Sequence, residues 1–193
     1  VKTEKRLNKI CSVAKLRQHS LTLVLENIHD PHNVSAIFRT ADAVGVPEVS
    51  LLYYIEKFPK IGKKSSASAY KWVNKNKFDS VKNCYDSLRE KGYVIYASTL
   101  ADDSKDLYEL DLTQKVAIVM GNEHRGISKE AEEHADARFL IPMRGFVQSL
   151  NVSVATAVIL YEAQRQRQLK KMYEQSDLPK DELNRLINTW CAK

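Results

Sequence analysis

The residues able to do chemistry stand just after short apolar runs. They are Asn33 and Arg39 after the first run, Thr99 after a later one, and Gly121-Asn122-Glu123 after another. Met143, Arg144, Gln148, Ser149 and Asn151 follow the last. Arg39 sits at the edge of an apolar stripe formed by Val34, Ile37, Phe38, Ala41 and Val44. A guanidinium there either grips an anion or pairs with Asp42 or Glu26 as a surface cation. Glu123, between Asn122 and His124, either caps the following loop or binds a polar ligand group. His29, Asp30 and His32 have the types of metal ligands, yet a turn built on Asp30-Pro31 explains them equally well, and no metal is expected. There is no GxGxxG and no GxSxG, and Gly121 and Gly126 lack the Lys-Ser/Thr that a phosphate loop requires. Dinucleotide binding, nucleotide hydrolysis and serine-nucleophile chemistry are therefore disfavoured.

The elements that must position these residues alternate. Apolar runs at 21–28, 49–54, 93–99, 116–121 and 138–143 read as buried strands. Between them lie helical patterns. One is expected to start from Asn33 as cap and end at Gly45; another covers 80–91, with Ser80 near its start and Gly92 at its stop. Ser128 caps a short helix over 129–135, and residues 151–160 are apolar nearly all round before a charged continuation. The stretches 57–69 and 101–111 read as loops, and a last amphipathic helix covers roughly 180–191. Continuously apolar strands alternating with helices predict an α/β fold, a mainly parallel sheet with helices on both faces. Ligands in such sheets bind outside the carboxyl ends of strands, here the loops after 28, 54, 99, 121 and 143.

The chain has 193 residues, 44% of them hydrophobic and 28% charged, which suits one globular domain with short appendages. No apolar run is long enough to span a bilayer, and the first twenty residues lack the apolar core of a secretory signal. Cys11, Cys84 and Cys191 are too few and too far apart for a disulfide scaffold or a zinc site, so a reducing, cytoplasmic setting is expected. The net charge of +6 is unevenly spread: residues 1–20 carry +5 and residues 57–77 carry +7, leaving a mildly acidic body. Such segments suit a polyanion, most often nucleic acid, or simply a solvated face.

Three segments together resemble the SPOUT class of RNA methyltransferases, in its TrmH-like 2′-O-ribose branch. They are NVSAIFRTADAVGV (33–46), VAIVMGNEHRGIS (116–128) and FLIPMRGFVQSLNVSVATAVILYE (139–162), in that family's order and spacing over about 21–162. The resemblance implies a deep C-terminal trefoil knot, a homodimer, and S-adenosyl-L-methionine held in the knot. The implied cofactor contacts are Thr99, Leu100, Met120, Gly121, Asn122, Ile141, Met143 and Leu150. It also places Asn33 and Arg39 in the first catalytic motif, Glu123 in the second, and Ser149 and Asn151 in the third, with Arg39 acting across the dimer.

The implied reaction is methylation of a ribose 2′-OH, an in-line displacement in which positioning supplies much of the rate. The family account makes Arg39 the proton acceptor, assisted by a phosphate. A charged Arg39 that clamps the phosphate and lowers the pKa of the hydroxyl would serve equally well. A basic extension at 1–20, a catalytic domain at 21–161 and a helical tail at 162–193 form a layout that looks like members acting on guanosine 18 in the D-loop of transfer RNA. Lys60, Lys63 and Lys64 in the lysine-rich loop, with Arg6 and Lys9 in the N-terminal segment, are then the expected RNA contacts. Another tRNA or rRNA nucleotide is the alternative. A non-catalytic RNA-binding protein of the same fold is a further one, against which the retained Arg39, Glu123, Ser149 and Asn151 argue.

Overall fold

The computed structural model describes residues 3–61 and 69–192. Seven strands form one sheet in which every pairing is parallel: β1 (Leu21–Glu26), β2 (Glu48–Leu52), β3 (Asn74–Phe78), β4 (Val94–Ser98), β5 (Lys105–Asp106), β6 (Val116–Met120) and β7 (Ala137–Leu140). Their order is β3-β2-β1-β6-β4-β7-β5. The chain thus runs outward through β2 and β3, crosses to β4, and later inserts β6 beside β1. The direction of winding reverses at the β1–β6 junction, where the register pairs Leu23 with Ile118 and Leu25 with Met120. Both strands are buried at every position, as strands covered on both faces are; in β1 that includes Thr22 and Glu26.

Helices cover both faces. Leu21, Leu23 and Leu25 point to the side occupied by α2 (Pro31–Val44) and α6 (Val152–Leu169), where Ile37, Phe38 and Ile159 pack on them. Val24, Ala117 and Val119 point the other way, toward Tyr85 and Leu88 of α4 (Val81–Glu90) and Ala131 of α5 (Lys129–Glu133). Two short pieces, α3 (Ala69–Trp72) and a 3-10 turn at Leu107–Glu109, complete the body.

Some boundaries differ from the sequence reading, each for a local reason. Asp30, not Asn33, caps α2: its carboxylate accepts from the His32 N–H at 2.8 Å, with Pro31 in the first turn where no amide is needed. Asn33 is thereby freed for another task. Gly45 does end the helix, with φ at +90°. β3 escapes notice because its sequence, NKNKF, is polar; it is an edge strand with little burial. β5 and the 3-10 turn lie inside the acidic stretch read as loop.

The two ends of the chain pack together. Ile10 and Ala14 of α1 (Glu4–Lys15) meet Trp190 of α7 (Lys180–Ala192), and Trp72 of α3 lies edge-on to Trp190 at 5.3 Å. The boundary expected at 161/162 falls inside α6, which runs unbroken to Leu169. Near its end Arg167 is fully buried, and its guanidinium donates to Leu112 O, Gln18 Oε1, Ser20 Oγ, Ser20 O and Gln114 O at 2.7–3.2 Å. Those acceptors lie just before β1 and β6, so one side chain fastens α6 to the entry of both central strands. Five donors finding five acceptors is what makes a buried guanidinium tolerable.

Candidate functional site

A cleft of about 670 Å³ opens at the carboxyl ends of β4, β6 and β7, beside the reversal of winding. All eight residues expected to hold a cofactor line it: Thr99 and Leu100 after β4, Met120, Gly121 and Asn122 after β6, Ile141 and Met143 after β7, and Leu150 before α6. The volume is within the range of roughly 300–1,000 Å³ usual for small-molecule sites. Leu100, Met120, Ile141, Met143 and Leu150 supply apolar wall, and the turns after the strands present backbone polar groups.

The turn after β6 is built tightly. Asn122 and Gly126 exchange two backbone hydrogen bonds of 2.9 Å. The Asn122 side chain donates to Asn27 O at 2.6 Å and accepts from the His124 and Arg125 amides at 2.9 and 3.2 Å. A Cβ on Gly121 would lie 2.2 Å from the Gly126 carbonyl carbon and the Ile127 nitrogen, so only glycine allows this fold-back.

Three of the expected catalytic residues form a chain of contacts at the cleft mouth. The Glu123 carboxylate accepts from the amides of His29 and Asp30 at 3.0 and 3.2 Å, and from Asn33 Nδ2 at 3.0 Å. Asn33 Oδ1 in turn accepts from Asn151 Nδ2 at 3.1 Å, and Asn151 Oδ1 caps α6 by accepting from the Ser153 amide at 2.9 Å. Partial burial pushes the Glu123 carboxyl upward, but the bonds from Asn33, His29 and Asp30 outweigh it and hold the group below its ordinary value. Glu123 is therefore a charged tie between the ends of β1, β6 and the start of α6. Ser149 and Gln148 also line the cleft, and the segment 144–149 is exposed.

Arg39 behaves differently. It is exposed on α2, does not line the cleft of its own chain, and makes no hydrogen bond or ion pair with a described residue. Neither structural partner considered for it is free. Asp42 is paired with buried Arg17, and Glu26 accepts from the Tyr54 hydroxyl and from the Ser128 amide at 2.9 Å. Of the expected RNA contacts, Lys60, Arg6 and Lys9 are exposed, with Arg6 stacked over Trp72 at 5.4 Å; Lys63 and Lys64 lie outside the described residues. The first histidine of the 29–32 turn stands 3.5 Å from Glu56, and Asp30 is engaged as the helix cap.

Asn27, which the sequence does not mark, and Glu26, which it offers only as a partner for Arg39, both support the site. Asn27 takes the left-handed conformation at φ +49° and accepts three amides, from Tyr54, Ile55 and Glu56, at 3.0–3.2 Å. The available signal was a carboxylate and an asparagine directly ending an otherwise apolar strand, LTLVLEN, asparagine being among the few residues at ease in that conformation.

Comparison with known proteins agrees with this architecture. A tRNA (guanosine(18)-2′-O)-methyltransferase of Thermus thermophilus is 42% identical over 192 residues, covering 100% of this chain and 98% of that protein. The crystal structure of the A. aeolicus TrmH/SpoU tRNA modifying enzyme superposes with a TM-score of 0.90 at 40% identity, covering 97% of this chain and 95% of that one. The SpoU methyltransferase AviRb of Streptomyces viridochromogenes, solved in complex with the cofactor AdoMet, superposes with a TM-score of 0.68 at 27% identity. It covers 80% of this chain and 62% of that one. Residues 20–161 match the SpoU rRNA Methylase family, and the chain belongs to that family.

Proposed function

We propose that this chain transfers the methyl group of S-adenosyl-L-methionine to the ribose 2′-OH of guanosine 18 in transfer RNA, working in the cytoplasm. The observation that carries this reading is the cleft at the carboxyl ends of β4, β6 and β7. There the eight expected cofactor residues meet, and the Glu123–Asn33–Asn151 chain closes one side. Near-full-length similarity to a tRNA guanosine-18 enzyme supports the substrate, and the AdoMet-bound AviRb structure supports the cofactor. No helix among the described residues is long and apolar enough to cross a membrane.

The donor set fits the cofactor: an apolar wall for its adenine and methionine carbons, and backbone groups for its polar edges. When bound, the sulfonium supplies an electrophilic methyl group. The protein's own part is to place the hydroxyl in line and to offset the negative charge that grows on its oxygen. Asn151, held by Asn33, which Glu123 in turn holds, presents a preorganised amide edge beside the cleft. Arg39 serves as the cation, gripping a phosphate beside the attacking ribose. A free guanidinium stays protonated far above neutral pH, which favours the clamp over the role of base.

Because Arg39 lies away from its own cleft, it would serve the cleft of a second copy in a homodimer. In one chain α6 leaves Val154 and Tyr161 exposed, and Phe146 and Val147 stand out beside it, which supports a partner on this face. The same reading includes a trefoil knot. It is supported by the passage from β7 to α6, whose residues Ile141, Met143 and Leu150 line the same cleft as the turn after β6. The basic N-terminal helix and the lysine-rich segment would hold the RNA backbone. Incubating the chain with a tRNA transcript and methyl-labelled cofactor should transfer label to the RNA at a rate that saturates with transcript. Transfer to a ribosomal RNA fragment in preference to tRNA would favour the alternative substrate.

A further inference from the structure

The same edge of the sheet carries a second cleft, of about 570 Å³, at the carboxyl ends of β2 and β3. Its floor is aromatic: Tyr53 and Phe58 meet edge-to-face with ring centroids 5.1 Å apart, and Phe78 closes the other side. Glu56 forms the wall toward the cofactor cleft. That carboxylate is engaged by Arg125 at 2.8 Å and lies 3.5 Å from His29, and Arg125 itself lines the cofactor cleft. One ion pair therefore separates the two clefts. On the rim of the second, Lys57, Lys77 and Asp79 are exposed, and none of their side chains makes a hydrogen bond or ion pair with a described residue.

This is an aromatic floor rimmed by two cations and one carboxylate. Aromatic floors stack nucleobases whatever their sequence, and lysines neutralise the adjoining phosphates. A carboxylate offers acceptors only, two of them side by side. Among the four bases guanine alone presents two neighbouring N–H groups on its pairing edge, the ring N1–H and the exocyclic amine. We propose that this cleft is a guanine-binding subsite for a nucleotide flanking the one whose ribose is methylated, with Phe58 stacking on the base and Asp79 accepting its two N–H groups. The proposal rests on the RNA methyl-transfer reading above.

The test uses the full chain and tRNA transcripts carrying guanosine, inosine or adenosine at each position flanking the methylated nucleotide. Inosine keeps N1–H and lacks the exocyclic amine. At one of the two flanking positions, replacing guanosine by inosine should lower kcat/KM about ten-fold, the scale of one lost hydrogen bond to a charged group. Asp79→Asn should bring the guanosine and inosine substrates within two-fold of each other, and Phe58→Leu should weaken binding of every transcript about ten-fold. Calorimetry should show both variants binding S-adenosyl-L-methionine as the parent does, which guards against misfolding. An identical rate with all three bases, or a guanosine preference that survives in Asp79→Asn, would overturn the subsite while leaving methyl transfer intact. Absence of any methyl transfer by the parent would instead remove the reading on which it stands.

Discussion

Arg39 and Glu123 are the two charged residues of the proposed catalytic set, but their surroundings assign them opposite kinds of work. Arg39 has no partner among the described residues, so its removal should leave the fold and the cofactor cleft alone. Arg39→Ala is expected to lower methyl transfer about 10²–10³-fold, the cost of losing one preorganised charge-stabilising group. Calorimetry should find its affinity for S-adenosyl-L-methionine within a few-fold of the parent; loss of cofactor binding together with activity would place Arg39 in the cofactor site instead. Glu123 is tied on both oxygens, so Glu123→Gln should cost stability, about 1–2 kcal/mol at pH 7. Its pKa lies below the ordinary value in the folded chain. The contribution is therefore complete above the unfolded value near about 4.3 and is lost as pH falls through the folded one. Urea unfolding of parent and Glu123→Gln should show the difference at pH 7 shrinking below about pH 4; a gap independent of pH would mean the charge is not what matters. Sequence alone leaves Glu123 between loop cap and ligand group, because the partners that decide, His29, Asp30 and Asn33, lie about ninety positions away.

At the scale of elements, most of what depended on local pattern was legible, the cap of α2 being the exception. The apolar strands β1 and β6, the Ser80 and Ser128 caps and the Gly45 stop all follow from residue type and spacing. What depended on distant partners was not. β3 is polar because it is an edge, and its strand state is fixed by pairing with β2 rather than by its own side chains. Arg167 reads as one more charge in YEAQRQRQLKK, yet it is the buried fastening between α6 and the central strands. Arg167→Ala strands several carbonyls and should destabilise the chain by about 3–5 kcal/mol in urea unfolding. Arg167→Lys should recover only a minor part, since an ammonium has three donors and no fork. The turn after β6 gives a cleaner functional test. Gly121→Ala forces the Asn122–Gly126 fold-back open, so S-adenosyl-L-methionine affinity should fall at least ten-fold while the circular dichroism spectrum stays that of the parent. Unchanged affinity would separate the turn from the cofactor site.

For the molecule as a whole, the charge distribution and the exposed apolar face are the two features that a single folded chain leaves unanswered. Residues 57–77 carry +7 and residues 1–20 carry +5. Replacing Lys60, Lys63 and Lys64 with alanine should reduce the salt slope of tRNA binding by about two to three units, at roughly 0.7–0.9 for each phosphate no longer neutralised. Fluorescence titrations at several salt concentrations read this directly, and an unaltered slope would move RNA binding to the chain ends. The uncovered side of α6, with Val154 and Tyr161, predicts a dimer by analytical ultracentrifugation at micromolar concentration; an active monomer would contradict the assignment of Arg39 to a neighbouring cleft. The central claim, however, is that this cleft methylates a ribose hydroxyl at one place in tRNA. A 2′-O-methyl group blocks alkaline cleavage of the next phosphodiester, so the decisive measurement is mass mapping of alkali-digested tRNA after reaction with S-adenosyl-L-methionine. The account predicts a single alkali-resistant dinucleotide beginning with methylated guanosine 18, absent when Arg39→Ala replaces the parent. Label that sits on a base, or a resistant dinucleotide from another position, would contradict it.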